Sequence, residues 1–143
     1  MGIIVTVKCE EGNVFLQLSG KTNAAVWLPS VLVKKEILPK MLLADMNGSV
    51  SVVIPGSELP VLIDAMPENA VPEMQKVGLV EINGYGLQTD VRTMAALFAV
   101  FEQAEISVAA VSVSDTDLTF VVPENRGKDC LEILQNHFGD RIE

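Results

Sequence analysis

The chain reads as an α+β fold built from two βαββα repeats, each an antiparallel sheet with both helices on one face. Three observations predict it. The order strand, loop, helix, strand, turn, strand, helix occurs twice along the 143 residues. Short echoes link the halves: Val14 to Gly20 with Gly78 to Gly84, and Val52-Val53-Ile54-Pro55 with Phe120-Val121-Val122-Pro123. The composition is globular, with 49% hydrophobic, 20% charged and only 5% aromatic residues, so the core must be aliphatic. A βαββα unit leaves the second face of its sheet for a neighbour.

In the first half, Ile3 to Lys8 is β-branched and reads as a strand. Glu10-Glu11-Gly12-Asn13 reads as a turn, and Val14 to Leu18 as a second strand in a hairpin with the first. Ser19 to Asn23 breaks it. A helix is expected from Ala24 to about Leu38, with Trp27, Leu28, Val31, Leu32 and Leu38 inward and Lys34, Lys35 and Glu36 in solvent. Pro29 falls in its first turns, where a missing N–H costs little. Val31-Leu32-Val33 also suits a strand. An apolar stretch from Met41 to Met46 meets Asn47-Gly48, a strong hairpin signal, and Ser49 to Ile54 returns. Ser57 is placed to cap a helix from Glu58 to Met66 with Leu59, Leu62, Ile63 and Met66 buried. Pro67 to Pro72 connects the halves.

The pattern then restarts. Val77 to Ile82 is a strand and Asn83-Gly84-Tyr85-Gly86 a glycine-rich loop. Thr89 or Asp90 caps a helix reaching about Ala104, with Val91, Met94, Ala95, Phe98 and Phe101 at helical spacing. Ile106 to Val113 and Leu118 to Val122 are strands about a turn at Ser114 to Asp117. Pro123-Glu124-Asn125 opens a last helix that faces Cys130, Leu131, Leu134 and Phe138 inward. The two repeats are 1–72, with the leading strand 3–8, and 73–143.

Charge and residue inventory narrow the function. A net charge of −9 repels phosphate backbones and anionic membranes, which argues against nucleic acid and membrane partners. No apolar run is long enough to span a bilayer, and the N-terminus lacks a secretion signal, so a cytoplasmic location is expected. Cys9, Cys130 and His137 form no metal-ligand spacing. A Cys9–Cys130 disulfide stays open, with reduced, buried thiols expected. No base–nucleophile pair or metal cluster is visible, so no catalytic residue, metal or cofactor is expected, and the chain is not read as an enzyme. Gly84-x-Gly86 lacks the third glycine of a dinucleotide fingerprint, Thr89 standing there.

Lys76 to Phe138 resembles the final ACT domain of aspartate kinases. The residues that carry this are Val77 to Gly86, Leu97-Phe98, Phe101-Glu102-Gln103-Ala104, Glu105 to Val108, Val111 to Asp115, Cys130 to Leu134 and His137-Phe138. Gly2 to Val7 resembles the strand that, in this family, completes the second ACT domain. The resemblance implies tandem ferredoxin-like domains that bind an amino-acid effector, lysine or threonine, and act allosterically as a homodimer. It places one ligand loop at Gly84, Tyr85, Gly86, Leu87, Gln88, Thr89 and Asp90. There, backbone N–H groups and a helix N-terminus would meet a carboxylate, and Asp90 would meet an ammonium unless it serves only as the helix cap. It places a second at Lys21, Thr22 and Asn23, with Asn47 as a further polar contact or simply a turn residue. The family's aspartate–x–proline–glycine stretch stands here as Lys21-Thr22-Asn23-Ala24, and the strand Leu42 to Asn47 is short. Two other readings follow: a regulatory fragment of an aspartate kinase, or a dimerisation module without ligand.

Overall fold

The computed structural model describes residues 3–139. Gly2, the first residue of the leading-strand resemblance, lies outside the described residues. The chain divides into two compact units: a terminal unit of 1–11 with 77–143, and a central unit, Gly12–Lys76.

The leading strands are not a hairpin. Ile3–Leu18 is one strand, β1, and Gly12 within it takes φ +79° instead of reversing the chain. The residues before Gly12 serve the terminal unit and those after it the central unit, so each half finds its partner outside β1.

In the central unit β1 is followed by α1 (Ala24–Lys34), β2 (Met41–Ala44), β3 (Val50–Pro55) and α2 (Leu59–Ala65). The strand order is β2-β3-β1, with antiparallel registers such as Leu16 opposite Val52 and Leu42 opposite Val52. Leu16, Leu18, Val50 and Val52 alternate onto one face and pack with Leu28 and Leu32 of α1 and Leu62 of α2. α1 is a helix throughout Val31-Leu32-Val33, but it ends at Lys34, short of the expected Leu38. Glu36 turns left-handed at φ 55° and the Ile37 N–H bonds back to the Leu32 carbonyl. That stop buries Ile37 and leaves Leu38 84% exposed, against the expectation that Leu38 faces inward. Ser57 caps nothing: it sits in a 3-10 turn, Gly56–Glu58, that feeds α2. Ile63 is exposed, so the buried stripe of α2 is narrower than expected.

In the terminal unit β1 precedes β4 (Glu73–Tyr85), α3 (Val91–Gln103), β5 (Ala110–Val113), β6 (Asp117–Pro123) and α4 (Gly127–Phe138). The order is β1-β4-β6-β5. Thr6 bonds Asn83 and Lys8 pairs with Glu81 at 3.5 Å, so β1 and β4 run in opposite senses. Val80, Ile82, Leu118, Phe120 and Val122 face Leu97, Val100 and Phe101 of α3 and Cys130, Leu134 and Phe138 of α4. Both helices therefore lie on one face of an antiparallel sheet, as the repeat pattern requires. Asp90, not Thr89, caps α3. The buried face of α3 is Thr93, Leu97, Val100 and Phe101, while Val91, Ala95 and Phe98 are exposed, a rotation from the predicted stripe. β5 begins at Ala110 because Ile106 leaves the helix into the core as a loop residue.

Glu11 ties the start of α4 to β1. Its carboxylate accepts from the Asn125 N–H at 3.1 Å and the Gly127 N–H at 3.3 Å, where a negative charge also suits the helix dipole. A side-chain carbon at Gly127 would meet Glu11 Oε1 at 2.8 Å, and one at Gly78 would meet it at 2.7 Å, so both positions need glycine for this approach. Glu11→Ala is expected to lower stability by about 1 kcal/mol, the usual effect of a lost helix cap, measured by urea denaturation.

Candidate functional site

The terminal loop of the sequence reading is largely committed to the fold. Asn83 to Tyr85 continue β4 instead of forming a loop. Gly86 turns left-handed at φ 65°, and Leu87–Thr89 form a 3-10 turn. The Gly84 and Leu87 N–H groups donate to the Thr116 and Asp115 carbonyls of the β5–β6 turn, at 2.9 and 3.0 Å. The Leu87 side chain is 1% exposed and belongs to the core. The Thr89 hydroxyl donates to the Gly86 carbonyl at 3.2 Å. Asp90 accepts from the Thr93 N–H at 3.1 Å with one oxygen and from the Thr93 hydroxyl at 2.7 Å with the other. Tyr85 and Gln88 present exposed side chains beside this turn.

The central loop is arranged differently. The Ser19 hydroxyl accepts from the Lys21 N–H at 3.3 Å, and the Thr22 hydroxyl donates to the Ser19 carbonyl at 3.1 Å. Asn23 closes the turn at φ 57° and starts α1 without a side-chain cap bond. Asp45 shapes the opposing turn, its Oδ1 accepting from the Asn47 N–H at 2.8 Å and the Ser49 N–H at 3.1 Å. The two turns meet at Gly20. A side-chain carbon there would overlap the Asn47 carbonyl oxygen and lie 3.0 Å from the Gly48 carbonyl carbon. Gly20, the residue before Lys21, thus stands against Asn47, 27 positions along the chain.

A cavity of about 450 Å3 opens beside this junction, lined by Gln17, Ser19, Leu43, Asp45, Ser49, Ser51 and Glu73 among others. Its floor follows from register. Gln17, Ser51 and Leu43 stand opposite one another across β1, β3 and β2, and their chain neighbours Leu16, Leu18, Val50 and Val52 point into the helix-covered core. The floor is therefore the sheet face away from α1 and α2. Three hydroxyls and an amide can hydrogen-bond a carboxylate, while Asp45 and Glu73 supply negative charge for a cation. Gln17, Asp45, Ser51 and Glu73 were missed by sequence reasoning. The signal available was alternation: polar Gln17 and Ser51 interrupt otherwise apolar strands at cross-strand positions.

Residues 80–138 match the family model of the ACT domain. The expected ACT resemblance holds, and the matched segment falls in the terminal unit. Solved structures extend the likeness to the whole fold. The regulatory subunit of aspartate kinase from Thermus flavus superposes with a TM-score of 0.82 at 12% identity, over 95% of this chain and 99% of that one. The aspartate kinase of Clostridium acetobutylicum gives 0.81 at 13% identity, over 98% of this chain and 36% of that one. E. coli aspartokinase III in complex with lysine and aspartate gives 0.69 at 17% identity, over 99% of this chain and 34% of that one. At these identities the likeness is one of fold: tandem ACT-type, ferredoxin-like units. No curated protein matches the sequence. Among the described residues no group of His, Cys, Asp and Glu is arranged to hold a metal ion, and no helix is long and apolar enough to cross a membrane.

Proposed function

We propose that the chain is an amino-acid-sensing regulatory module, not an enzyme in its own right, and that the central cavity beside the Gly20–Asn47 junction holds the effector. The observation that carries the reading is this cavity, placed within an ACT-type fold whose solved counterparts are regulatory subunits and regions of aspartate kinase. Ser19, Ser49, Ser51 and Gln17 suit the carboxylate of a free amino acid. Asp45 and Glu73 suit its ammonium, and in a chain of net charge −9 they favour a cationic side chain over an anionic one. Lysine is the first effector to test, since it is bound in the E. coli relative, with threonine beside it. Within the terminal unit, the turn from Gly84 to Asp90 is a candidate effector site of its own, through Tyr85, Gln88 and Thr89.

Asp45→Asn separates charge from shape. Asparagine keeps an oxygen for the Asn47 and Ser49 N–H groups, so stability should move by less than about 0.5 kcal/mol. Effector affinity should fall about tenfold, by calorimetric titration, because a partly exposed carboxylate–ammonium contact is removed. Unchanged affinity would move the effector elsewhere.

The module acts as a homodimer in this reading, and ligand shifts the population between two packings. The outer side of α1 supports a docking face. Val26 and Val33 are 75% and 79% exposed, and α1 contains only Ser30 and Lys34 as polar residues, a pattern that suits a helix covered on both sides. An apolar groove along Pro29, Val33, Leu38 and Leu42 continues it to β2, which ends the central strand order. Val33→Asp should convert the dimer to a monomer in sedimentation velocity while leaving the circular dichroism spectrum intact; a persistent dimer would place the interface on another face.

A further inference from the structure

We propose that Cys9 and Cys130 form an oxidation site, a thiol pair that a peroxide closes into a disulfide between β1 and α4. Both side chains pack in the same core, Cys130 fully and Cys9 partly buried. Cys9 lies over the first turn of α4: its Cβ and Sγ are 3.0 and 3.1 Å from the position a side-chain carbon on Gly127 would take. Cys130 stands three residues further along α4, on the face that packs into the same core as Cys9, and glycine at 127 keeps side-chain atoms out of the space beside the Cys9 sulfur.

The pair is asymmetric, and that sets the order of events. Burial pushes the Cys130 thiol up to about 11, with Arg126 opposing the rise and Asp129, Cys9 and Glu11 adding to it. Cys130 therefore stays protonated and shielded, and the more accessible Cys9 reacts first. The Cys9 thiolate attacks one oxygen of hydrogen peroxide, the O–O bond breaks, and the departing hydroxide takes a proton to become water. This leaves Cys9 as a sulfenic acid. The Cys130 sulfur then attacks the Cys9 sulfur, loses its proton and expels the hydroxyl group as a second water. Two thiols and one peroxide give one disulfide and two waters: sulfur is oxidised by two electrons and the peroxide oxygens are reduced by two. The bond fixes the strand that opens the chain to the helix that closes the terminal unit.

The test uses the full chain, reduced, then treated with hydrogen peroxide, denatured, alkylated and weighed intact. The expected product has lost two hydrogens, carries no alkyl group, yields a Cys9–Cys130 cross-linked peptide and reverts with dithiothreitol. Its Tm should rise by about 5 °C or more, because a long loop is closed in the unfolded chain. In Cys130→Ser the sulfenic acid on Cys9 should persist and be trapped by dimedone; in Cys9→Ser the buried Cys130 should stay unreacted in the folded protein. Two alkylated cysteines after peroxide, a disulfide between chains, or Cys9 carried on to the sulfinic acid with Cys130 still free would each overturn the proposal.

Discussion

Replacing Phe120 with alanine is expected to destabilise the terminal unit by about 3–5 kcal/mol. Phe120 is fully buried at the centre of β6. Its ring meets Phe101 at 4.8 Å and Phe98 at 5.4 Å, both edge-to-face. In a chain this poor in aromatics, buried Phe101 and Phe120 form an aromatic pair in the core, with Phe98 packing on Phe120 from the exposed side of α3. Truncation loses the transfer energy of the ring, leaves a cavity between sheet and α3, and removes two aromatic contacts each worth about 0.5–1.5 kcal/mol. Urea denaturation followed by circular dichroism should show a lowered midpoint with exposure of the α3 amides to hydrogen exchange. A loss below about 1 kcal/mol would mean that α3 does not rest on β6 as described.

Gly20→Ala should strike the site itself. The added methyl overlaps the Asn47 carbonyl oxygen, and that atom is backbone and cannot rotate away. One turn must move, at a cost of about 1–3 kcal/mol, and the mouth of the cavity moves with it. Effector binding should be lost. Gly12→Ala is the matched comparison. Gly12 has a positive φ, which Gly20 does not, and a side-chain carbon there meets nothing within 4 Å. It should cost about 1–2 kcal/mol through backbone strain alone and leave binding intact. Equal binding by both variants would separate the junction from the ligand.

The repeat, the antiparallel sheets and the α4 face were legible in the sequence because alternation and helical spacing report burial directly, whereas the α3 face came out rotated. Of the expected α4 stripe, Cys130, Leu134 and Phe138 are buried for that reason, while Leu131 is only partly buried. What was not legible depends on contacts distant in sequence. The turn composition of Glu10 to Asn13 predicted a hairpin, yet one extended strand is found, since each half of β1 gains a better partner from a different unit. Leu38 looked like a helix-face residue because periodicity cannot see a left-handed stop at Glu36. Asp90 was ambiguous between ligand contact and cap, and its two bonds to Thr93 show how much of its capacity the fold takes. The cavity was hidden because Gln17, Ser51 and Leu43 converge only through register, and Glu73 through the return of the chain into β4.

The central claim is that this fold senses a free amino acid, and isothermal titration calorimetry of the full chain against the proteinogenic amino acids tests it most directly. The account predicts saturable heat for a cationic or small polar amino acid, lysine or threonine first, at micromolar to low millimolar concentration, and no such heat from Gly20→Ala. Silence across the whole panel at millimolar concentration would contradict it and leave the chain as a dimerisation module without a ligand.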